Sequence, residues 1–200
     1  MIGILNYGLG NIKAFKNVFD KEHIDSMYVN ENEDFSKVSK IILPGVGAFD
    51  YAMERLEASG LLETLNKCVL NDKIPVLGVC VGMQMMADSS EEGSKSGLGW
   101  IKGTVKKINI EKKYPLPHMG WNQLKIVKNH EIMRSLSDNS EFYFLHSYHV
   151  EVEDEYVLAI SNYGESICSV INKENVYGMQ CHPEKSHQYG IQFLKNFAML

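Results

Sequence analysis

The run Pro75-Val76-Leu77-Gly78-Val79-Cys80-Val81-Gly82-Met83-Gln84 passes from an almost uninterrupted apolar stretch straight into a cysteine flanked by glycines. An apolar run of this length fits a central strand buried on both faces, the kind found in parallel sheets covered by helices on each side. Gly78-x-Cys80-x-Gly82 has the form of a nucleophile elbow with cysteine in place of serine, and a helix-like stretch is expected to follow it. So tight a turn needs small residues two before and two after the nucleophile, as Gly78 and Gly82 provide. It would set the Cys80 sulfur at the carboxyl end of the sheet and at a helix N-terminus. There the dipole favours negative charge and backbone N–H groups can receive an oxyanion.

Working outward, the first half alternates short apolar runs with helical periodicity. Residues 2–5, 26–29 and 41–43 read as strands. A helix carries Ile12, Phe15, Val18 and Phe19 on one face, and residues 50–70 are helical with a break at Gly60. This βαβα rhythm predicts a parallel sheet flanked by helices. From Gly103 onward the pattern becomes β-rich, with runs at 104–110, 124–127, 142–145, 149–152, 157–160, 167–171 and 176–180, before helical spacing returns at 191–200. These runs are expected to add antiparallel strands to one edge of the same sheet, or to fold over it, in a single domain spanning 1–200. Residues 89–99, polar and glycine-rich, suit a surface loop.

Composition narrows the function. The 200 residues are 44% hydrophobic and 22% charged, and 20 basic against 25 acidic side chains leave a net charge of −5. A uniformly basic nucleic-acid-binding chain is disfavoured. No apolar run approaches the roughly 20 residues that span a bilayer, and the N-terminal MIGILNYG lacks the layout of a signal peptide. Cys68, Cys80, Cys168 and Cys181 lie far apart without a C-x-x-C pair, so a cytoplasmic location is expected, with neither disulfides nor structural zinc. Gly8-Leu9-Gly10 fails as a dinucleotide fingerprint because Lys13 stands at the third glycine position. His146 and His149, three apart in β-rich sequence, would face opposite sides of a strand and make poor joint metal ligands. Met83, Met85, Met86 and Cys168 read as core, and Glu151 to Glu155 as a solvated strand end. No metal or cofactor is expected.

A nucleophilic thiol needs a base, and the base needs a group to orient it. Both follow the last apolar run, in Val176-Tyr-Gly-Met-Gln-Cys181-His182-Pro183-Glu184. If residues 176–180 pair in parallel beside 75–79, His182 emerges at the same sheet edge as Cys80. Pro183 would end the strand, and the Glu184 carboxylate would hold the imidazole tautomer.

These residues, taken with Asn6-Tyr7-Gly8, Gly10-Asn11, Leu43-Pro44-Gly45-Val46-Gly47-Ala48-Phe49, Ser90-Glu-Glu92-Gly93, Gly97-Leu-Gly99-Trp100, His118-Met-Gly120-Trp121-Asn122, His146-Ser147-Tyr148 and His182-Pro-Glu184-Lys-Ser186, resemble the class I (triad) glutamine amidotransferases. Within that family the chain is most similar to the glutaminase subunits of imidazole glycerol phosphate synthase, and the resemblance runs its whole length. It implies a flavodoxin-like α/β fold and hydrolysis of glutamine to glutamate and ammonia, with Cys80 as nucleophile, His182 as base and then acid, and Glu184 as the orienting carboxylate. Val81 and Gly47 of the Pro44–Gly47 loop would form the oxyanion hole. Gly45, Gln84, Glu92, Ser147 and Tyr148 would bind glutamine. Asn11, Trp121 and Asn122 would lie at the interface with a partner cyclase, a (β/α)8 barrel that receives the ammonia in a heterodimer and makes imidazole glycerol phosphate and the aminoimidazole-carboxamide ribonucleotide of histidine biosynthesis. Members of this family are weak glutaminases until the partner binds its substrate.

Two departures leave an alternative acceptor open. Val81, Met85 and Met86 stand where leucines are common, and His187 stands where glutamine is usual. These details resemble a paralogous branch that feeds ammonia to surface-saccharide (lipopolysaccharide-type) sugar amidotransferases. A cysteine peptidase or γ-glutamyl hydrolase on the same scaffold would prefer γ-glutamyl peptides to free glutamine. An idle binding subunit would require a disabled triad, and all three triad residues are present.

Overall fold

The structure, a computed structural model, describes residues 1–109 and 114–200. Strands β1 (Ile2–Leu5), β2 (Ser26–Val29), β3 (Lys40–Gly45) and β4 (Val76–Cys80) alternate with helices α1 (Ile12–Lys21), α2 (Phe49–Ala58) and α3 (Leu62–Asn66), α3 running on into a wider turn over Lys67–Asn71. Every residue of β4 is buried, as its apolar run requires. Helix α1 turns Phe15 and Phe19 inward, and α2 buries Phe49, Ala52, Met53 and Leu56 at helical spacing. Gly60, at φ 73°, separates α2 from α3.

After β4 come a one-turn helix α4 (Val81–Gln84), the short strand β5 (Ser89–Ser90), β6 (Gly103–Lys107), β7 (His118–Gln123) and β8 (Lys125–Ile126). They are followed by β9 (Glu141–His146), β10 (Tyr148–Val152), β11 (Val157–Tyr163), β12 (Glu165–Lys173), β13 (Val176–Met179) and α5 (His187–Met199). The main sheet has eight strands in the order β2-β1-β3-β4-β13-β12-β11-β8. From β2 to β13 neighbouring strands are parallel; from β13 to β8 they are antiparallel. The other strands form a three-stranded sheet, β10-β6-β5, and a two-stranded sheet, β7-β9. The expected addition of antiparallel strands to one edge of the sheet is met by β12, β11 and β8, while the remaining strands make separate small sheets.

Five details differ from the sequence reading. The helix after the elbow stops after one turn, because the carbonyls that would continue it are taken by the next loop. Leu98 N bonds Met85 O at 2.7 Å and Trp100 N bonds Met86 O at 2.9 Å. Ser89–Ser90 is a strand paired in parallel with β6, so only the rest of 89–99 is loop. Strand β7 was not anticipated, since Gly120 and alternating large polar groups hide its period. His146 and His149 sit on successive strands with Ser147 between them, and both are buried. The expected strand over 104–110 ends at Lys107, with residue 110 outside the described residues. Met83, Met85, Met86 and Cys168 join the core, and Glu151 to Glu155 closes β10 into a solvated turn. Among the described residues no helix is long and apolar enough to cross a membrane.

Candidate active site

Cys80 ends β4 at φ 56°, ψ −116°, a left-handed conformation that costs a non-glycine residue roughly 1–3 kcal/mol. The surrounding backbones enforce it. A Cβ on Gly82 would run into the carbonyl oxygen of Leu43, and one on Gly45 into the amide nitrogen of Gly82. A Cβ on Gly78 would lie 2.6 Å from the Gly82 oxygen. The end of β3 and the elbow thus touch backbone to backbone. Gly45, opposite Cys80 in the β3–β4 register, is a packing element beneath the site and does not line the cavity.

His182 arrives from the neighbouring strand. β13 pairs in parallel with β4, Met179 opposite Val79, so both chains leave the sheet at its carboxyl edge. Beyond β13, Gln180 N bonds Ser169 O and His182 N bonds Tyr143 O, each at 2.9 Å. Pro183 then opens a short 3₁₀ turn, Pro183–Lys185. Ser186 Oγ closes this turn by donating to His182 O at 2.6 Å while accepting from Tyr143 N at 2.9 Å. Glu184 Oε1 lies 2.9 Å from His182 Nδ1, with both side chains almost fully buried. Burial alone would favour a neutral ring. Hydrogen bonds that the ring donates to Cys80 and Glu184, and its charge interactions with both, overcome it and push His182 up to about 10.

A cavity of about 320 Å³ opens over this pair. Its walls include Gly47, Cys80, Val81, Gln84, Glu92, Ser147, Tyr148 and His182, so eight of the residues singled out in the sequence share one cavity. Gly47 holds φ 87° with open space around its Cα, which leaves this loop the conformations a side chain would restrict. Glu92 Oε2 accepts from Phe49 N at 2.8 Å, capping α2 directly after that loop. Tyr7 braces the same loop from behind by donating to Pro44 O at 2.6 Å; burial, then the nearby Cys80 charge, push its phenol up and keep it a donor. Glu184 lies behind His182, outside the cavity.

The three residues assigned to a partner surface fall outside the cavity. Asn11 is exposed at the start of α1. Trp121 is 48% exposed, stacked flat on His187 with ring centroids 5.0 Å apart, beside exposed Met119. Asn122 instead turns inward, donating to Asn162 O at 2.9 Å and meeting His118 Nε2 at 3.2 Å.

Sequence reasoning assigned no site role to Gln180, His118 or His146. Gln180 is fully buried between Cys80 and Gln84. His118 and His146 face each other across β7–β9, Nδ1 to Nε2 at 3.1 Å, and His118 is sandwiched between Phe144 and Tyr163. Burial pushes His118 down to about 4 and His146 to about 3, so both rings are neutral at neutral pH. The one available signal was a polar residue, Gln180, inside an apolar run. Among the described residues no group of three or more His, Cys, Asp or Glu side chains is placed to hold a metal ion.

Comparison with known proteins agrees with this geometry. The family model "Glutamine amidotransferase class-I" matches residues 5–200. The chain is 49% identical to the imidazole glycerol phosphate synthase subunit HisH of Leptospira borgpetersenii, covering 100% of both chains. It is 50% identical to the HisH subunit of Bdellovibrio bacteriovorus over 99% of each. Among solved structures, one described as a glutamine amidotransferase superposes with TM-score 0.76 at 16% identity, covering 100% of this chain and 99% of that one. PurLQS from Thermotoga maritima superposes with TM-score 0.73 at 16% identity, over 98% and 96%. This chain belongs to the class-I glutamine amidotransferase family.

Proposed function

We propose that this chain is the glutaminase subunit of imidazole glycerol phosphate synthase, acting in the cytoplasm as a single domain spanning 1–200. The observation that carries this is the convergence of the β4 and β13 carboxyl ends, which sets Cys80 beside a His182 already paired with Glu184. The thiolate of Cys80 attacks the side-chain amide carbon of glutamine, forming a C–S bond and moving the carbonyl pair onto oxygen. Backbone N–H groups of Val81 and of the Gly47 loop receive that oxyanion. Because His182 holds its proton well above neutrality, it delivers that proton to the amide nitrogen as the C–N bond breaks and ammonia leaves. Neutral His182 then takes a proton from water, which attacks the thioester carbon and releases glutamate, restoring the pair. Glu184 fixes the ring through Nδ1 throughout. Gln84, Glu92 and the Ser147–Tyr148 edge hold the amino-acid end of the substrate.

Ammonia is useful only where a synthase receives it, and the relatives are named as synthase subunits. The partner is a (β/α)8-barrel cyclase joined as a heterodimer. Exposed Trp121, Met119 and Leu145 near the cavity mouth give it an apolar surface to cover. A second reading, delivery to a sugar amidotransferase, is favoured by one observation: the atypical His187 stacks on exposed Trp121, on the face a partner would meet. Mixing the chain with a histidine-pathway cyclase and, separately, with a sugar amidotransferase distinguishes them, since only the true pairing couples glutamine consumption to product. In the productive complex Cys80→Ser abolishes glutamine-dependent synthesis while synthesis from added ammonium salts persists. Glutamine-dependent synthesis surviving that change overturns the assignment of the nucleophile.

A further inference from the structure

The polarity of one buried hydrogen-bond chain is fixed by elimination. Tyr148 O is a carbonyl and can only accept. The Gln84 atom 2.8 Å from it is therefore the amide nitrogen, and the His146 Nδ1 at 2.8 Å carries a hydrogen. The second hydrogen of the Gln84 nitrogen points at Gln180, 3.1 Å away, so the Gln180 atom there is its oxygen. The Gln180 nitrogen then faces the Cys80 sulfur, at 3.9 Å. In the other direction, neutral His146 with its hydrogen on Nδ1 must accept at Nε2, so His118 donates from Nδ1 and accepts at its own Nε2 from Asn122. The Asn122 amide is itself fixed, since its nitrogen donates to Asn162 O and its oxygen accepts from Gln123 N.

Two consequences follow. Both lone pairs of Tyr148 O are occupied, by Gln84 and His146, so this carbonyl has no capacity left for a substrate. Both hydrogens of the Gln84 amide are spent on protein acceptors, so the group it can offer the cavity is an oxygen. That oxygen, with the Glu92 carboxylate on the same cavity, suits a cation.

We propose that Gln180 and His146 are positioning residues that lock the Gln84 carboxamide with its oxygen toward the cavity, where it accepts from the α-ammonium group of glutamine. This deepens the glutaminase reading and rests on it. Without Gln180 the Gln84 amide is held by Tyr148 O alone, so its oxygen is fixed less firmly toward the cavity and the site's preference for an α-ammonium group falls.

The test uses the complex with its cyclase and compares kcat/KM for glutamine with that for 4-carbamoylbutanoate, which is glutamine without the α-ammonium group. The wild type prefers glutamine. Gln180→Met, similar in length and volume, lowers the preference by about 10- to 100-fold, the size of one hydrogen bond to a charged group. The loss of preference falls on glutamine through KM, whereas any kcat change from losing the Gln180 nitrogen beside the Cys80 sulfur is shared by both substrates and cancels in the ratio. A merely structural defect would lower both substrates together. Gln180→Glu keeps the oxygen that holds the Gln84 nitrogen, so it retains the preference while its charge beside the Cys80 sulfur lowers kcat. His146→Phe removes the other constraint on Tyr148 O and reduces the preference independently, which covers a Gln180→Met protein that fails to fold. Wild-type preference with Gln180→Met and His146→Phe both unchanged in ratio overturns the proposal and leaves the glutaminase reading intact. A wild-type complex that hydrolyses no glutamine overturns both.

Discussion

Replacing Glu184 with glutamine preserves the shape of the triad and removes one charge. The Glu184–His182 contact is 2.9 Å between two almost fully buried side chains, so solvent does little to screen it. Burial alone would depress the ring, yet its pKa rises from 6.5 to about 10, with Cys80 and Glu184 as the two groups raising it. Assigning half of that rise to Glu184 gives about 2 units, or on the order of 2–3 kcal/mol of support for the imidazolium. Glu184→Gln should therefore lower glutamine-dependent kcat/KM by about 30- to 100-fold and bring its alkaline limb down by about 2 pH units. A second penalty comes from the other carboxylate oxygen, Oε2, which is buried without a hydrogen-bond partner. With the amide oxygen on His182, an –NH2 group would occupy that place unpaired and cost about 1–3 kcal/mol of stability. Because the folded pKa of His182 is raised, its stabilisation is full below 6.5 and fades as pH climbs through about 10. The variant should lose that stabilisation at lower pH. The assay is a pH–rate profile of the glutaminase half-reaction in the complex, with urea unfolding of the isolated chain. An alkaline limb that does not move, with activity within about threefold of wild type, would refute the coupling argued here.

Two further outcomes concern the scaffold. Gly82→Ala drives a methyl group into the Leu43 carbonyl, a rigid backbone atom, so denaturation midpoints should show a loss of about 3 kcal/mol or more; a loss under about 1 kcal/mol would mean the elbow and β3 can separate. Acid should also destabilise the chain through the buried histidine pair. His118 and His146 fall to about 4 and about 3 in the folded state, so below 6.5 the unfolded chain binds protons that the folded one refuses. Lowering the pH from about 7 to about 5 should cost about 2 kcal/mol per ring, and His118→Phe should remove about half of the total in urea titrations.

The reactive core was legible because its residues obey strong local constraints. An apolar run ending in Gly78-x-Cys80-x-Gly82 admits few backbones, and Pro183 after His182 closes a second strand in the same way. Placing those strands side by side was a guess about pairing order, which the β4–β13 register now supplies. The two small sheets were less readable. β7 contains Gly120 and alternates His118, Trp121 and Asn122 between two environments, so no single face looks apolar. Gln180 received no role, and His118 and His146 were not read as a pair, because a buried polar residue is explained by its partners, and those partners lie far away in sequence. Asn122 and its neighbour Trp121, both placed at the partner surface by the family resemblance, point to opposite faces of β7, as successive strand residues do: Trp121 outward and Asn122 toward Asn162 and His118.

The position of β13 bears on how the enzyme comes into being. Although last of the strands in sequence, it lies between β4 and β12 and joins the parallel half of the sheet to the antiparallel half. A ribosome making this chain delivers Cys80 well before His182. Until that late segment threads into the gap, the nascent polypeptide holds a sulfur without its proton carrier. Insertion of β13 and onset of reactivity are thereby one event, and termination or proteolysis before β13 yields an inert fragment rather than a leaking source of ammonia.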